Sequence, residues 1–347
     1  MAVNVSRALV AAVTNTQTVP NFAGTFFGNV NVRSTRYVDL QKQFSKARVA
    51  KFVNPSAVAD GTEKLSFEQS LFTLPTLQDR QVITGDDLEN ISFGDNEYTP
   101  RTPGEKLTAK VAQVVVDQRR MVALAIEKMA IEALFDGKIT VVGKGENRVL
   151  DFGRPAELTV DVGATDPAQY WDQGGNPDNS FDSAIELLGS FGATATDVIG
   201  RPEVVRYIVN SSDIKDNLDN RRMEFGGLDF MSRLAEQGVI YYGTYKEVNI
   251  WGYSGNYQDA DGVAQKAVPE KQVVFVARNN QNVTVYGDYP DIESLISDAA
   301  AARTVKDARN FTAKVKATTA GAEQEAIQTV APMLADVYSS ASYQVIQ

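Results

Sequence analysis

The stretch that decides the fold runs from Thr102 to Gly137, "TPGEKLTAKVAQVVVDQRRMVALAIEKMAIEALFDG". Both of its ends are marked. Thr102 stands where an N-cap belongs, Pro103 follows at the first helical position, and Glu105 completes a capping box. Gly137, just after Asp136, supplies a left-handed C-cap. The spacing predicts one helix over 103–136, about 50 Å long at roughly 1.5 Å per residue. Val111, Val114, Val115, Val122, Ala125, Ile126, Met129, Ala133 and Leu134 fall on one broad face. Lys110, Asp117, Arg120, Glu127 and Lys128 spread over the rest, so one face reads as packed and the other as charged. The helix has no coiled-coil repeat and is not a membrane span. Its purpose has to come from the elements around it.

Composition narrows the choices. The chain has 347 residues, 43% of them hydrophobic, enough for one large domain or two ordinary ones. Lys and Arg number 34 against 44 Asp and Glu, a net charge of −10. A general nucleic-acid binder carries a basic excess, so direct gripping of DNA or RNA is not expected. No run approaches the length of a membrane span, and "MAVNVSRALVAAV" has too short an apolar patch for a signal peptide. Synthesis in the cytoplasm is therefore expected. Cysteine and histidine are both absent. That removes disulfides, thiol nucleophiles, Cys/His zinc sites and histidine-based triads. Paired carboxylates, an activated lysine or oxygen-ligated magnesium or calcium remain as routes to catalysis.

Outward from the helix, the chain reads as follows. Residues 1–34, including "VPNFAGTFFGNVNV", mix aromatics and glycines without helical period and read as an extended arm. Residues 35–101 give short strands such as "RYVDL", "KLSFEQSLFTL" and "RQVIT", broken at Asn54-Pro55, Asp60-Gly61, Leu74-Pro75 and Gly85-Asp86. This fits a long projecting β-hairpin. "KITVVGKGENRVLDFG" after the helix reads as a two-stranded hairpin around Gly143 to Asn147. Beyond a Gly/Asp/Pro-rich crossing at 163–180 an α/β region begins. It holds a helix at "SFDSAIELLGSF" capped by Ser180, a strand at "ATDVIG", a second helix at "RPEVVRYIVN", and strands at 239–245, 247–253 and 271–277. "NVTVYG", "FTAKVKA", "EAIQTVAPML" and "SYQVIQ" read as strands returning to an earlier sheet.

The motifs that hint at chemistry weaken on inspection. "GKITVVGKGE" lacks phosphate-loop spacing, with Gly145 where Ser or Thr should bind magnesium, and reads as a glycine hairpin. "DADG" at 259–262 lacks the ligand spacing of a calcium loop and reads as a turn. Asp86, Asp87 and Glu89 could hold a cation, but a charged hairpin tip explains them as well. The arginine pairs Arg119-Arg120 and Arg221-Arg222 suit carboxylates of another chain, or equally solvated and intrachain ion pairs. Leu65, Phe67, Phe72 and Leu74 form an apolar stripe on the projecting hairpin, which is too thin to make its own core. Docking of that stripe on a neighbour is expected. No catalytic, cofactor or metal site is assigned.

The order arm, long hairpin, spine helix, short hairpin, α/β insertion and returning strands resembles the capsid fold of tailed bacteriophages, the Hong Kong ninety-seven type. "LFDGKITVVG…VLDFGRP", "IKDNLDNRR", "YYGTYKEVNIWGYSGNYQDADGVAQKAVPEKQVVFVA", "VTVYGDYPD" and "TVAPMLAD…SYQVIQ" carry a closer likeness to the lambda-like major capsid protein family. Together they cover about half the chain, while residues 1–34, 56–100 and 163–180 depart. The resemblance implies an α+β shell protein with an N-terminal arm at 1–34 and an extended loop at 35–101. It further implies a peripheral domain at 102–183 with its spine helix and hairpin, an inserted axial domain at 184–277, and peripheral return strands at 278–347. It implies no enzyme activity and no cofactor. The partners implied are copies of the chain in hexamers and pentamers, a scaffolding protein and a portal during assembly, and, as an open point, a decoration protein. The shell would enclose DNA without reading its sequence and without a membrane, so the implied location is the virion, and host cytoplasm during assembly. The alternatives are a histidine-free carboxylate enzyme such as a glycoside hydrolase, and another phage part such as a tail tube.

Overall fold

A computed structural model describes residues 21–43, 67–89, 102–215, 238–258, 263–278, 281–297, 303–318 and 321–347. The spine helix α1 spans Pro103–Asp136 without a break. Its ends are the expected ones. The Thr102 hydroxyl accepts from the Glu105 backbone N–H while the Glu105 carboxylate accepts from the Thr102 N–H at 2.8 Å. Gly137 takes φ 66° and donates to the Ala133 carbonyl at 3.1 Å. A second device at this end lies further along the chain: the Arg154 guanidinium donates to the carbonyls of Leu134 (2.9 Å) and Phe135 (2.6 Å), placing a cation at the negative end of the helix dipole. Burial brings Arg154 down to about 10.

Among the described residues, two six-stranded sheets flank the helix. In chain order the strands before it are β1 (Asn29–Val32), β2 (Tyr37–Gln43), β3 (Phe67–Thr73) and β4 (Thr76–Ile83). After it come the hairpin β5 (Lys138–Gly143) and β6 (Glu146–Asp151), then β7 (Thr159–Asp161) and β8 (Asp197–Gly200). Next are β9 (Val239–Tyr245), β10 (Val248–Tyr253), β11 (Asn256–Gln258), β12 (Ala264–Lys266) and β13 (Gln272–Val276). The last are β14 (Val283–Gly287), β15 (Thr304–Lys306), β16 (Thr312–Thr318), β17 (Gly321–Met333) and β18 (Ser340–Gln344). Helices α2 (Pro177–Ser190) and α3 (Pro202–Asn210) accompany the second sheet.

The first sheet is organised by β17. One edge of this long strand takes β4 along Ala322 to Thr329, and the other is shared by β16 along Gly321 to Ile327 and by β14 along Thr329 to Met333. The second sheet runs β7-β18-β13-β8-β10-β9. Its centre, Val273 to Val276 and Val198 to Ile199, is fully or almost fully buried, as expected of strands covered on both faces. Phe181 of α2 meets Phe275 edge-on at 5.2 Å and Tyr245 at 5.5 Å, and Phe275 meets Tyr343 at 5.3 Å.

Three expectations change. The α2 cap is Asn176, whose side chain accepts from the Asp178 N–H at 3.1 Å with Pro177 at the first position, whereas Ser180 lies inside the helix and accepts from the Trp171 indole at 3.2 Å. The segment read as an extended arm contributes to the chain's own core: Phe22, Ala23, Phe26 and Phe27 are each at most 3% exposed. β4, expected in a projecting loop, is a full member of the first sheet. The last strand, β18, returns to an earlier sheet as expected, and the sheet it joins is the second, where it lies between β13 and β7. Alternation marks a strand but cannot choose its neighbours, because partner selection rests on contacts far apart in sequence.

Candidate subunit interfaces

The residues expected to touch a neighbouring chain fall into three groups. Leu65, Arg221 and Arg222 lie outside the described residues, and Phe67 is described only as backbone at the start of β3. Phe72 goes inward. It is 8% exposed and its ring lies 5.9 Å from that of Phe152, with Leu74 beside it at 1%. The β2–β3 pairing explains this: Val38 and Phe72 are paired and both buried, whereas Leu71 and Tyr37 are exposed. The inward part of the stripe belongs to the chain's own core, and the outward apolar residue is Leu71, 72% exposed.

Arg119 and Arg120 separate in the same way. Arg119 donates to Asp307 at 2.6 Å and lies 5.2 Å over the Phe311 ring, tying α1 to the turn between β15 and β16. It is an intrachain pair. Arg120 points outward on the exposed face of α1.

Apolar side chains that sequence reading did not single out are exposed elsewhere. Ile292, Leu295 and Ile296, on one helical turn after β14, are 69%, 76% and 81% exposed. Val142 and Val149 stand on the outer face of the β5–β6 hairpin, whose inner face buries Ile139 and Leu150. The signal for the first group was present in "DIESLIS", which packs three large apolar residues into one turn too short to bury them.

Chemical sites are poorly supported. Among the described residues no group of three or more Asp and Glu could hold a metal ion. A 510 Å³ open cleft is lined by Trp171, Asn176, Glu203, Arg206, Tyr207 and Asp213. The Arg201 side chain, at 3.0 Å, holds Glu203 below the usual carboxylate range, the reverse of what a general acid needs. Asp213 accepts from the Asn176 amide at 2.8 Å. Burial pushes the Glu127 carboxyl up, but this group accepts from the backbone N–H groups of Ala23 (2.7 Å) and Gly24 (3.1 Å) and is structural. Sequence reading put Glu127 on the charged face, yet it is 2% exposed because residues 22–27 lie over it.

The family model described as Phage major capsid protein E matches residues 6–319. The major capsid protein of Escherichia phage lambda is 24% identical over 190 residues, and that of Escherichia phage N15 is 25% identical over 187. Each alignment covers 53% of this chain and 53% of the relative, about half the length of either. Solved structures extend the likeness in fold. A prophage protein of Escherichia coli CFT073, described as a capsid protein, superposes with a TM-score of 0.70 at 15% identity, covering 99% of both chains. The capsid of cyanophage A-1(L) gives 0.59 at 10% identity, covering 96% of this chain and 94% of that one. The fold is the tailed-phage capsid fold of the Hong Kong ninety-seven type, two sheets bridged by one long helix. With a family model matching almost its whole length, the chain belongs to the phage major capsid protein E family.

Proposed function

We propose that the chain is the shell subunit of a tailed double-stranded DNA phage head, assembling as hexamers and pentamers around the genome. The observation that carries this reading is the fold itself, shared over nearly the whole chain with a prophage capsid protein and joined to a family match over residues 6–319. In this reading the first sheet with α1 corresponds to the peripheral domain and most of the second to the axial domain. Leu71 and Tyr37 on the outer face of β2–β3, Arg120, and the apolar turn at Ile292, Leu295 and Ile296 are the surfaces offered to neighbouring copies. Each fully covered large apolar side chain would contribute about 1.5–3 kcal/mol, and a shell repeats every such contact many times. A scaffolding protein and a portal would act during assembly in the host cytoplasm, with the virion as the final location. The acidic balance suits a container that does not grip phosphate.

Negative-stain microscopy of the expressed protein, alone and with its scaffolding partner, tests the reading. Closed shells, or rings and tubes with a hexameric lattice, are expected. A stable monomer under both conditions would reject it. Leu71→Asp together with Leu295→Asp should leave a folded subunit that no longer assembles, read by circular dichroism and microscopy.

A further inference from the structure

Residues 22–27 cross the junction of the two sheets, and their contacts reach three separate parts of the chain. At one end the Phe22 ring lies 5.4 Å from Trp251 and 5.8 Å from Tyr253, both on β10 of the second sheet. The Phe26 ring lies 4.8 Å under the Arg278 guanidinium, which also holds Asp197 at the start of β8 at 3.3 Å. At the other end the Phe27 carbonyl accepts from the Thr284 hydroxyl at 3.2 Å, and β1 continues beside β14 in the first sheet. Between these ends the segment forms a 3-10 turn, Ala23–Phe27, with no side-chain cap of its own. Its first two N–H groups point at Glu127 of α1 instead, at 2.7 and 3.1 Å. The Tyr253 hydroxyl hydrogen-bonds the same carboxylate. A carboxyl group from another element thus caps the turn, its two oxygens accepting from donors that the turn itself leaves unpaired.

The position of Glu127 along the helix is equally specific. Val111, Val114, Val115 and Val122 before it pack the smaller core on the first sheet, while Met129, Ala130, Leu134 and Phe135 after it enter the larger core shared with the second. We propose that residues 22–27 are a strap that fixes the two sheets relative to each other, and that Glu127 is its latch. Removing the carboxylate releases the strap while each sheet keeps its own strand pairing. The inference concerns the single subunit and holds whether or not the chain builds a shell.

The chain has no cysteine, so spin labels attach only where cysteines are placed. Val82→Cys on β4 and Ile240→Cys on β9, both half-exposed, report the separation of the two sheets. With Glu127 present, pulsed electron resonance should give one narrow distance distribution. Glu127→Gln, which keeps the shape but leaves one acceptor oxygen where Ala23 and Gly24 use two, should broaden it and speed amide exchange at Ala23 and Gly24 by about tenfold or more, with β16 and β17 still protected. Unchanged exchange at Ala23 and Gly24 would overturn the latch. Faster exchange with an unchanged narrow distribution would overturn the strap. Should Glu127→Gln not fold, Phe22→Ala takes the same two measurements: broadening with β16 and β17 protected supports the strap, and a narrow distribution, or loss of protection throughout, overturns it.

Discussion

The first half of α1 sets Val111, Val114, Val115 and Val122 against Ile83, Phe311, Ala313 and Ala326, a thin layer in which Phe311 is the one aromatic among small and β-branched residues. Polar groups are buried in and beside it. Gln118 is fully buried and donates to Asp79 at 3.0 Å, and Lys314 sits between Glu325 at 3.0 Å and Asp291 at 3.2 Å. Burial pulls Lys314 down, yet Glu325 and Asp291 outweigh it and hold the ammonium above its ordinary value. The second half instead sinks Met129, Ile131, Leu134 and Phe135 into a core continuous with Phe152, Phe181 and Phe275. The same continuous helix is therefore held in two ways. One half depends on a small apolar layer and matched polar partners, the other on bulk apolar burial. Local stability follows burial, so the first half should open more readily than the second.

Truncations probe that difference most strongly. Leu134→Ala should lower unfolding free energy by about 2–5 kcal/mol, because the surrounding aromatics cannot collapse into the space. Val115→Ala should cost roughly 2 kcal/mol, at about 0.8 kcal/mol per buried methylene plus a small cavity. Urea titrations of the two variants give the comparison, and equal losses would break it.

Gly137→Ala acts at the anchored end. A side chain there meets a left-handed φ of 66° and a Cβ only 2.7 Å from that of Arg154. The expected loss is about 1–2 kcal/mol from the backbone alone, read in the same titration. No loss would mean that the C-cap and the Arg154 bonds do not hold this half.

A pH series examines the junction of the halves. Because burial raises Glu127 above the ordinary value of 4.5, the folded chain binds that proton more tightly than the unfolded chain. Its stabilising contribution is complete below the unfolded value and declines as pH rises through the folded one. Unmodified protein should thus lose stability relative to Glu127→Gln as pH climbs from the carboxylate range toward neutrality. The opposite slope would show that the N–H donors outweigh burial.

The smallest effects lie on the helix surface. Arg119→Ala should cost about 1 kcal/mol through its half-buried pair with Asp307, and Arg120→Ala should stay within about 0.5 kcal/mol of zero. If assembly responds to Arg120→Ala while stability does not, that position is an interface contact. A stability loss at Arg120 matching that at Arg119 would instead assign it an intrachain role.

The contrast extends to what was readable. The span of α1 was legible to the residue, and so was the β5–β6 hairpin, because a capping box, a C-cap glycine and a tight turn act within a few positions of themselves. Phe72 was legible as apolar but not as inward-facing, since its direction follows from pairing with Val38 on a strand more than thirty residues earlier. Arg119 and Arg120 are adjacent and alike in sequence, and only the approach of Asp307 separates them. Ser180 misled because a plausible cap lay four residues inside a helix already capped by Asn176.

By itself, then, the sequence determined the beam: where it starts and stops, which face carries its valines, and that neither thiol nor imidazole chemistry is possible. Tertiary structure decided which groups share an interior. It buried Phe22, Phe26 and Phe27, turned Glu127 from a surface charge into a cap, and sent β18 to the second sheet. The physical reason is range. Caps and turns draw their free energy from neighbours along the chain, whereas burial and strand pairing draw theirs from residues such as Ala23 and Glu127, 104 positions apart, whose meeting no local pattern encodes.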